Sequence, residues 1–502
     1  MAENGAPSLG SMPQPVSAGL ETPAARTVAD RVVQYFRDFR VLRETRTEYW
    51  GIQLVNLIDC TIYFALLNIA SVFLSENVGL SDEEAGYSVA LFTTATTVFL
   101  FFSGTVTDWL GIRLSTHVAM MGQAILRLLL AVVGLVPSLP HRGLAATVLL
   151  FLMAPFMAMI QTVFQSANRR YTTESSRSAG FSLWYLAMNI GAAAGGFLID
   201  VDRLELRWSN AHIFTIGAVA ALVCSGITFL MIRNERQLDL SAPPAAPSGL
   251  ARDPAAARGG AATGKNPFQI ALAVVREPTL WRLIVLIALI LGARAVFAYL
   301  YLLMPKYWLR TIGADAAIGT LQAINPILIV FGIILFIPLV GRFRLFSMLV
   351  YGAMISAASL LFLALPYRLV SADIARAHYT MSVLCMIALS IGEVVWSPKL
   401  YEYTAAIAPQ GQEGTYLGIS MVPWFLANTL VSVISGHLLV RWCPEGIGPR
   451  MAAGEVGYWD GPSAMWLILS VVGFLGCLGA VALRGWLTRG LAEGKGAGGG
   501  RA

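Results

Sequence analysis

Four ionisable residues lie deep inside long apolar runs of this chain: Asp59, Arg127, Arg294 and Glu393, two of each sign. A charge in hydrocarbon is costly, so such groups turn towards a cavity or towards one another. In a cavity they can hold a solute of opposite charge or pass a proton. Polar residues around them recur at helical spacing. Asn56, Asp59 and Tyr63 share one narrow face, Arg294 and Tyr301 are seven apart, and Glu393 and Ser397 stand at i, i+4. Gln161 with Gln165, Tyr185 with Asn189, and Trp424 with Asn428 form further pairs. Asp59 is a candidate proton carrier, and paired with Arg294 it would act as a gate instead. Arg127 reads as a structural partner or a snorkelling side chain. His437 reads as a plain polar residue, and Asn189 and Asn428 serve equally well as bonds from helix to helix.

The elements that must position these groups are membrane helices. The chain has 502 residues, of which 56% are hydrophobic and 13% charged, against about a quarter charged in a soluble domain. Mean hydropathy is +0.66. Twelve apolar runs approach the roughly 20 residues that cross a bilayer. They fall at roughly 51–75, 84–106, 114–136, 143–167, 179–200 and 211–233, then 280–304, 316–341, 344–365, 377–400, 412–440 and 463–488. Between the sets lies 234–279, rich in Ala, Pro, Gly and charge, which reads as a linker ending in a short surface helix. The expected layout is a tail (1–47), a six-helix bundle (48–233), the linker, a second six-helix bundle (280–488) and a tail (489–502). The class is all-α and membrane-spanning, with the bilayer as a partner.

The net charge of +6 does not mark a nucleic-acid binder, because Lys and Arg sit in loops and tails. Placing both termini and the linker on one side gives that side 24 basic residues and the other 9. The positive-inside bias then predicts both termini in the cytoplasm, in a plasma or inner membrane. Five scattered cysteines form no disulfide framework. The first 47 residues are polar and carry no cleavable signal, and the stretch Arg26 to Arg46 can form a basic amphipathic surface helix. No HExxH, P-loop or nucleophile-elbow constellation is present, so neither an enzyme, an ATP-driven pump nor a cofactor or metal is expected.

Between the second and third runs stands GTVTDWLGIR, with Gly104, Asp108, Gly111 and Arg113. The loop resembles the cytoplasmic motif of the major facilitator superfamily, where it serves as a conformational latch. Three further segments are similar to proton-dependent oligopeptide transporters. GFSLWYLAMNIGAAAGG supplies Phe181, Ser182, Tyr185, Asn189 and Gly191. LQAINPILIVFG supplies Asn325 and Pro326, and the segment from Ile391 supplies Gly392, Glu393, Ser397, Pro398, Ala408, Pro409 and Gly414. In that family the glutamate matching Glu393 faces the substrate's amino group. The family's first-span motif is changed here: Asn56 and Asp59 stand for two acids and Cys60 for an arginine, while Tyr63 and Phe64 keep the aromatic pair. Gln161 lies near the place of the family's fourth-span lysine.

The resemblance implies a secondary transporter for a small zwitterionic or charged solute, peptide or amino-acid-like, moved by alternating access with proton coupling. Asp59 and Glu393 would carry the proton. Asn56, Tyr63, Gln161, Tyr185, Asn189, Arg294, Tyr301, Asn325, Glu393, Trp424 and Asn428 would line the substrate site. Asp59, Arg294 and Glu393 are expected to meet in one water-accessible chamber between the bundles. A non-transporting receptor or scaffold on the same fold is the alternative.

Overall fold

A computed structural model describes residues 39–173, 176–233, 277–340, 344–407 and 413–489. Most of the expected linker and both outer ends of the chain lie outside these residues, as does the expected amphipathic helix apart from a short 3-10 turn at Phe39–Glu44. Among the described residues the chain forms twelve long helices and no strand. The first six are α1 (Thr47–Val72), α2 (Asp82–Leu110), α3 (Ile112–Leu135), α4 (Arg142–Tyr171), α5 (Arg177–Asp200) and α6 (Ala211–Met231). After the break come α7 (Pro278–Leu302), α8 (Ile318–Val340), α9 (Leu345–Ala364), α10 (Ile374–Ile407), α11 (Glu413–Trp442) and α12 (Pro462–Ala482). Ten of them are long and apolar enough to cross a membrane, and α8 and α11 have 23 and 30 residues. All twelve expected runs are helices.

Local signals set several boundaries. Ser81 accepts a hydrogen bond from the Glu84 N–H at 3.2 Å while the Glu84 carboxylate accepts from the Ser81 N–H at 2.9 Å, a complete capping box at the start of α2. Gly111 ends α2 at φ 78°, a left-handed turn that glycine permits at little cost. The chain therefore enters α3 one residue later. α1 and α5 each finish in a π-helical turn, Phe73–Asn77 and Val201–Glu205.

The helices form two six-helix bundles. In the first, α1 packs on α5 and α6, α2 on α4, and α3 on α4 and α6; in the second, α9 packs on α10 and α12, and α7 on α11 and α12. The bundles meet along two seams, α5 against α8 and α2 against α11. We call the face carrying the chain ends the terminal face and the opposite one the distal face. Near the distal face both seams are built from glycine. A Cβ on Gly319 would overlap the Gly196 carbonyl, and one on Gly436 would lie 2.5 Å from the Glu83 Cα. Without a hydrophobic force between helices in lipid, such close backbone approach is a main source of cohesion.

Candidate functional site

The second bundle presents a polar group at mid-height. Pro326 interrupts the backbone ladder of α8, and Asn325 beside it donates to the Glu393 carboxylate at 3.0 Å and to Ser390 at 3.2 Å, both on α10. Asn325 is buried and Glu393 half-buried. Arg294 on α7 is half-buried, its guanidinium 5.3 Å from the ring of Trp396 and 5.6 Å from that of Phe297, two cation–π contacts on one side. Trp396 is fully buried and donates to Ser356 at 3.1 Å. Tyr301, two turns along α7, is within electrostatic reach of Glu393, Arg294, Tyr63 and Tyr185. Its ring lies 6.1 Å from Phe64, joining the bundles at this level. Acid, base and two aromatic rings thus converge where the bundles meet.

The first bundle treats its own pair differently. Asp59 is 2% and Arg127 0% exposed. They face each other at 3.4 Å, and Arg127 also donates to the Gln123 side chain and, at 3.1 Å, to the Gly217 carbonyl. A side chain at Gly217 would meet Ile62 and Arg127, so this glycine lets the guanidinium lie flat between α1, α3 and α6. The expectation that Asp59 shares a chamber with Arg294 and Glu393, or pairs with Arg294 as a gate, is therefore corrected. Its countercharge, Arg127, lies in the same bundle, with both side chains 1% exposed. Arg127 is the structural partner that its position suggested. Asn56 also turns into the bundle, donating to the Trp184 carbonyl at 3.2 Å.

The remaining expected residues scatter. Tyr63 is half-buried and borders an apolar void of about 20 Å³ with Leu67, Phe92, Met153, Met157 and Phe214, room for one water-sized group. Asn189 bonds back to the Tyr185 carbonyl at 2.9 Å on its own helix. Gln161 and Asn428 are half-buried on α4 and α11. The Trp424 side chain lies outside the described residues. The latch residues bond within the first bundle: Asp108 pairs with Arg170 at 2.5 Å, and Arg113 reaches the Phe229 carbonyl at 3.2 Å and its ring. Gly104 packs openly beside Thr162.

Sequence reading missed a third set. Beyond α7 the short helix Met304–Thr311 carries Lys306 and Arg310 at i, i+4. Both grip Asp82, at the start of α2 in the other bundle, at 2.7 Å. All three side chains are nearly buried. Burial pushes the Lys306 ammonium below its ordinary value, and the Asp82 carboxylate pulls part of that back. Arg207 pairs with Asp315 at 2.5 Å across the α5–α8 seam. The distal face is closed by these links. The i, i+4 spacing of Lys306 and Arg310 was the available signal, but both were read as loop charge.

The profile of the Major Facilitator Superfamily matches residues 52–432. The chain belongs to that superfamily. No curated protein matches it in sequence at a significant level. Solved facilitator structures match its fold: a proton-dependent oligopeptide transporter with a TM-score of 0.66 and 14% identity, covering 88% of this chain and 99% of that one; the nucleoside transporter NupG at 0.64 and 12%, covering 87% and 99%; and a D-xylose–proton symporter at 0.62 and 16%, covering 89% and 99%. The protein is a facilitator-fold integral membrane transporter, a family of carriers rather than enzymes.

Proposed function

We propose that this facilitator carries a small zwitterionic solute, peptide or amino-acid-like, by rocking its two bundles about a mid-height site, and that a proton moves with it. The supporting observation is the juxtaposition of Glu393, held by Asn325, with Arg294, held against Trp396 and Phe297, at the level where Tyr301 meets Phe64. An acid and a base a short distance apart suit the two ends of a zwitterion, and the bundle interface is where carriers of this kind bind. Several fold relatives are peptide transporters, which favours the same chemistry. In this reading Glu393 takes the substrate's amino group or the proton. Asp59, enclosed with Arg127, takes neither. With both termini in the cytoplasm of a plasma or inner membrane, the closed distal face is the outer one.

The test is uptake of labelled alanyl-alanine by the purified protein in liposomes under an inward proton gradient. Uptake that collapses with an uncoupler and with Glu393→Gln is expected. Uptake indifferent to both would remove proton coupling and Glu393 from the mechanism. The absence of binding to peptides, amino acids and carboxylates in a thermal-shift screen would remove the substrate class.

A further inference from the structure

α8 begins without a cap of its own. The residues before Ile318 are Ala316 and Ala317, and alanine has no oxygen with which to satisfy the free N–H groups of a first helical turn. Asp315, the acid next before them, is taken by Arg207. The cap comes instead from the other bundle. Asp200, the last residue of α5, accepts from the Gly319 N–H at 2.8 Å with one carboxylate oxygen. The other oxygen accepts from the Thr320 N–H and the Thr320 hydroxyl, each at 2.6 Å. The Leu321 N–H already bonds the Ala317 carbonyl at 3.0 Å. Ala317 is thus the cap position, and Gly319 and Thr320 are the two residues whose N–H groups a cap side chain normally serves. A negative charge here also meets the positive end of the α8 dipole.

The carboxylate reaches this far because Gly196, one turn before it, crosses Gly319 with backbone against backbone. The Cγ of Asp200 lies 3.0 Å from where a Gly319 Cβ would stand. Any side chain at 319 would push α5 and α8 apart and strip the cap in the same movement.

We infer that Asp200 is a detachable helix cap supplied in trans, and that exchanging it for water at the first turn of α8 is the step that opens the distal α5–α8 seam. Asp200, Thr320 and the Gly196–Gly319 crossing then set the balance between distal-closed and distal-open forms, whichever solute is carried. The inference rests on the alternating-access part of the proposed function and on nothing about substrate.

The experiment measures the distance between spin labels at Ser138→Cys and Ala372→Cys, exposed distal positions of the two bundles, in the full chain in lipid nanodiscs. The five native cysteines are buried. The parent should give mainly a short distance. Gly319→Ala should convert most molecules to a longer one. Asp200→Ala, which removes both cap oxygens, should raise the open fraction about fivefold to tenfold, and Thr320→Val less. Gly226→Ala, where a Cβ meets nothing, is the control and should leave the distribution unchanged. Unchanged distances in Gly319→Ala and Asp200→Ala, with both variants eluting as folded monodisperse protein, would overturn the inference. Alanyl-alanine uptake is scored separately: a parent that opens but carries no peptide fails the substrate reading and keeps this one.

Discussion

Each bundle has an acid–base set within its apolar helices, and the two are built to opposite ends. Asp59 and Arg127 are enclosed by α1, α3 and α6, with Gln123 and the Gly217 carbonyl completing the arginine's bonds. Glu393 and Arg294 lie at the bundle interface within electrostatic reach of each other, Glu393 bonded to an amide and Arg294 against aromatic rings. A charge neutralised by its own bundle has nothing left to offer a solute. In the proposed function, a pair at the interface between bundles is within reach of whatever enters. What separates the two sets is which surface of the helix bears the charge: inside one bundle for the first, at the seam between bundles for the second.

The largest effect that can break this contrast falls on stability. Asp59→Ala or Arg127→Ala leaves one buried charge uncompensated and should cost about 3–5 kcal/mol, read from denaturation in detergent. The double variant Asp59→Asn, Arg127→Met should recover most of that and retain uptake per folded molecule. Lost uptake in a well-folded double variant would move Asp59 back into the mechanism. Glu393→Gln should do the reverse, lowering alanyl-alanine uptake about a hundredfold with little change in melting temperature. Asn325→Ala, which loosens the carboxylate without removing it, should raise KM about tenfold with kcat nearly constant. The smallest expected change is at Thr94→Val. Its hydroxyl bonds Thr429 across the α2–α11 seam at 3.0 Å in an exposed position, and its loss should shift uptake by less than about twofold.

Hydrophobic run length made the helices legible, and boundaries moved by only a few residues where caps or glycine intervened, as at Ser81 and Gly111. Helical spacing put Arg294 and Tyr301 on one face of α7, and Tyr301 lies within electrostatic reach of Glu393. It could not tell that Asp59 faces α3, because a period of 3.6 fixes which residues share a face and not what that face meets. Nor did it separate Tyr63 from its neighbour Phe64, which makes the contact across the interface. The distal lock was hidden for another reason. Lys306, Arg310, Asp82 and Asp200 sit at helix ends, where charge is ordinary, and their pairing joins residues more than a hundred positions apart.

The glycine crossings near the distal face carry one last consequence. Where two backbones touch directly, closing freezes no rotamers, because glycine has none to lose. Gly196 on Gly319 and Gly436 on Glu83 therefore dock at almost no entropic cost. The van der Waals contact of the crossings thus adds to the polar clasps of the closed surface with no side-chain entropy set against it.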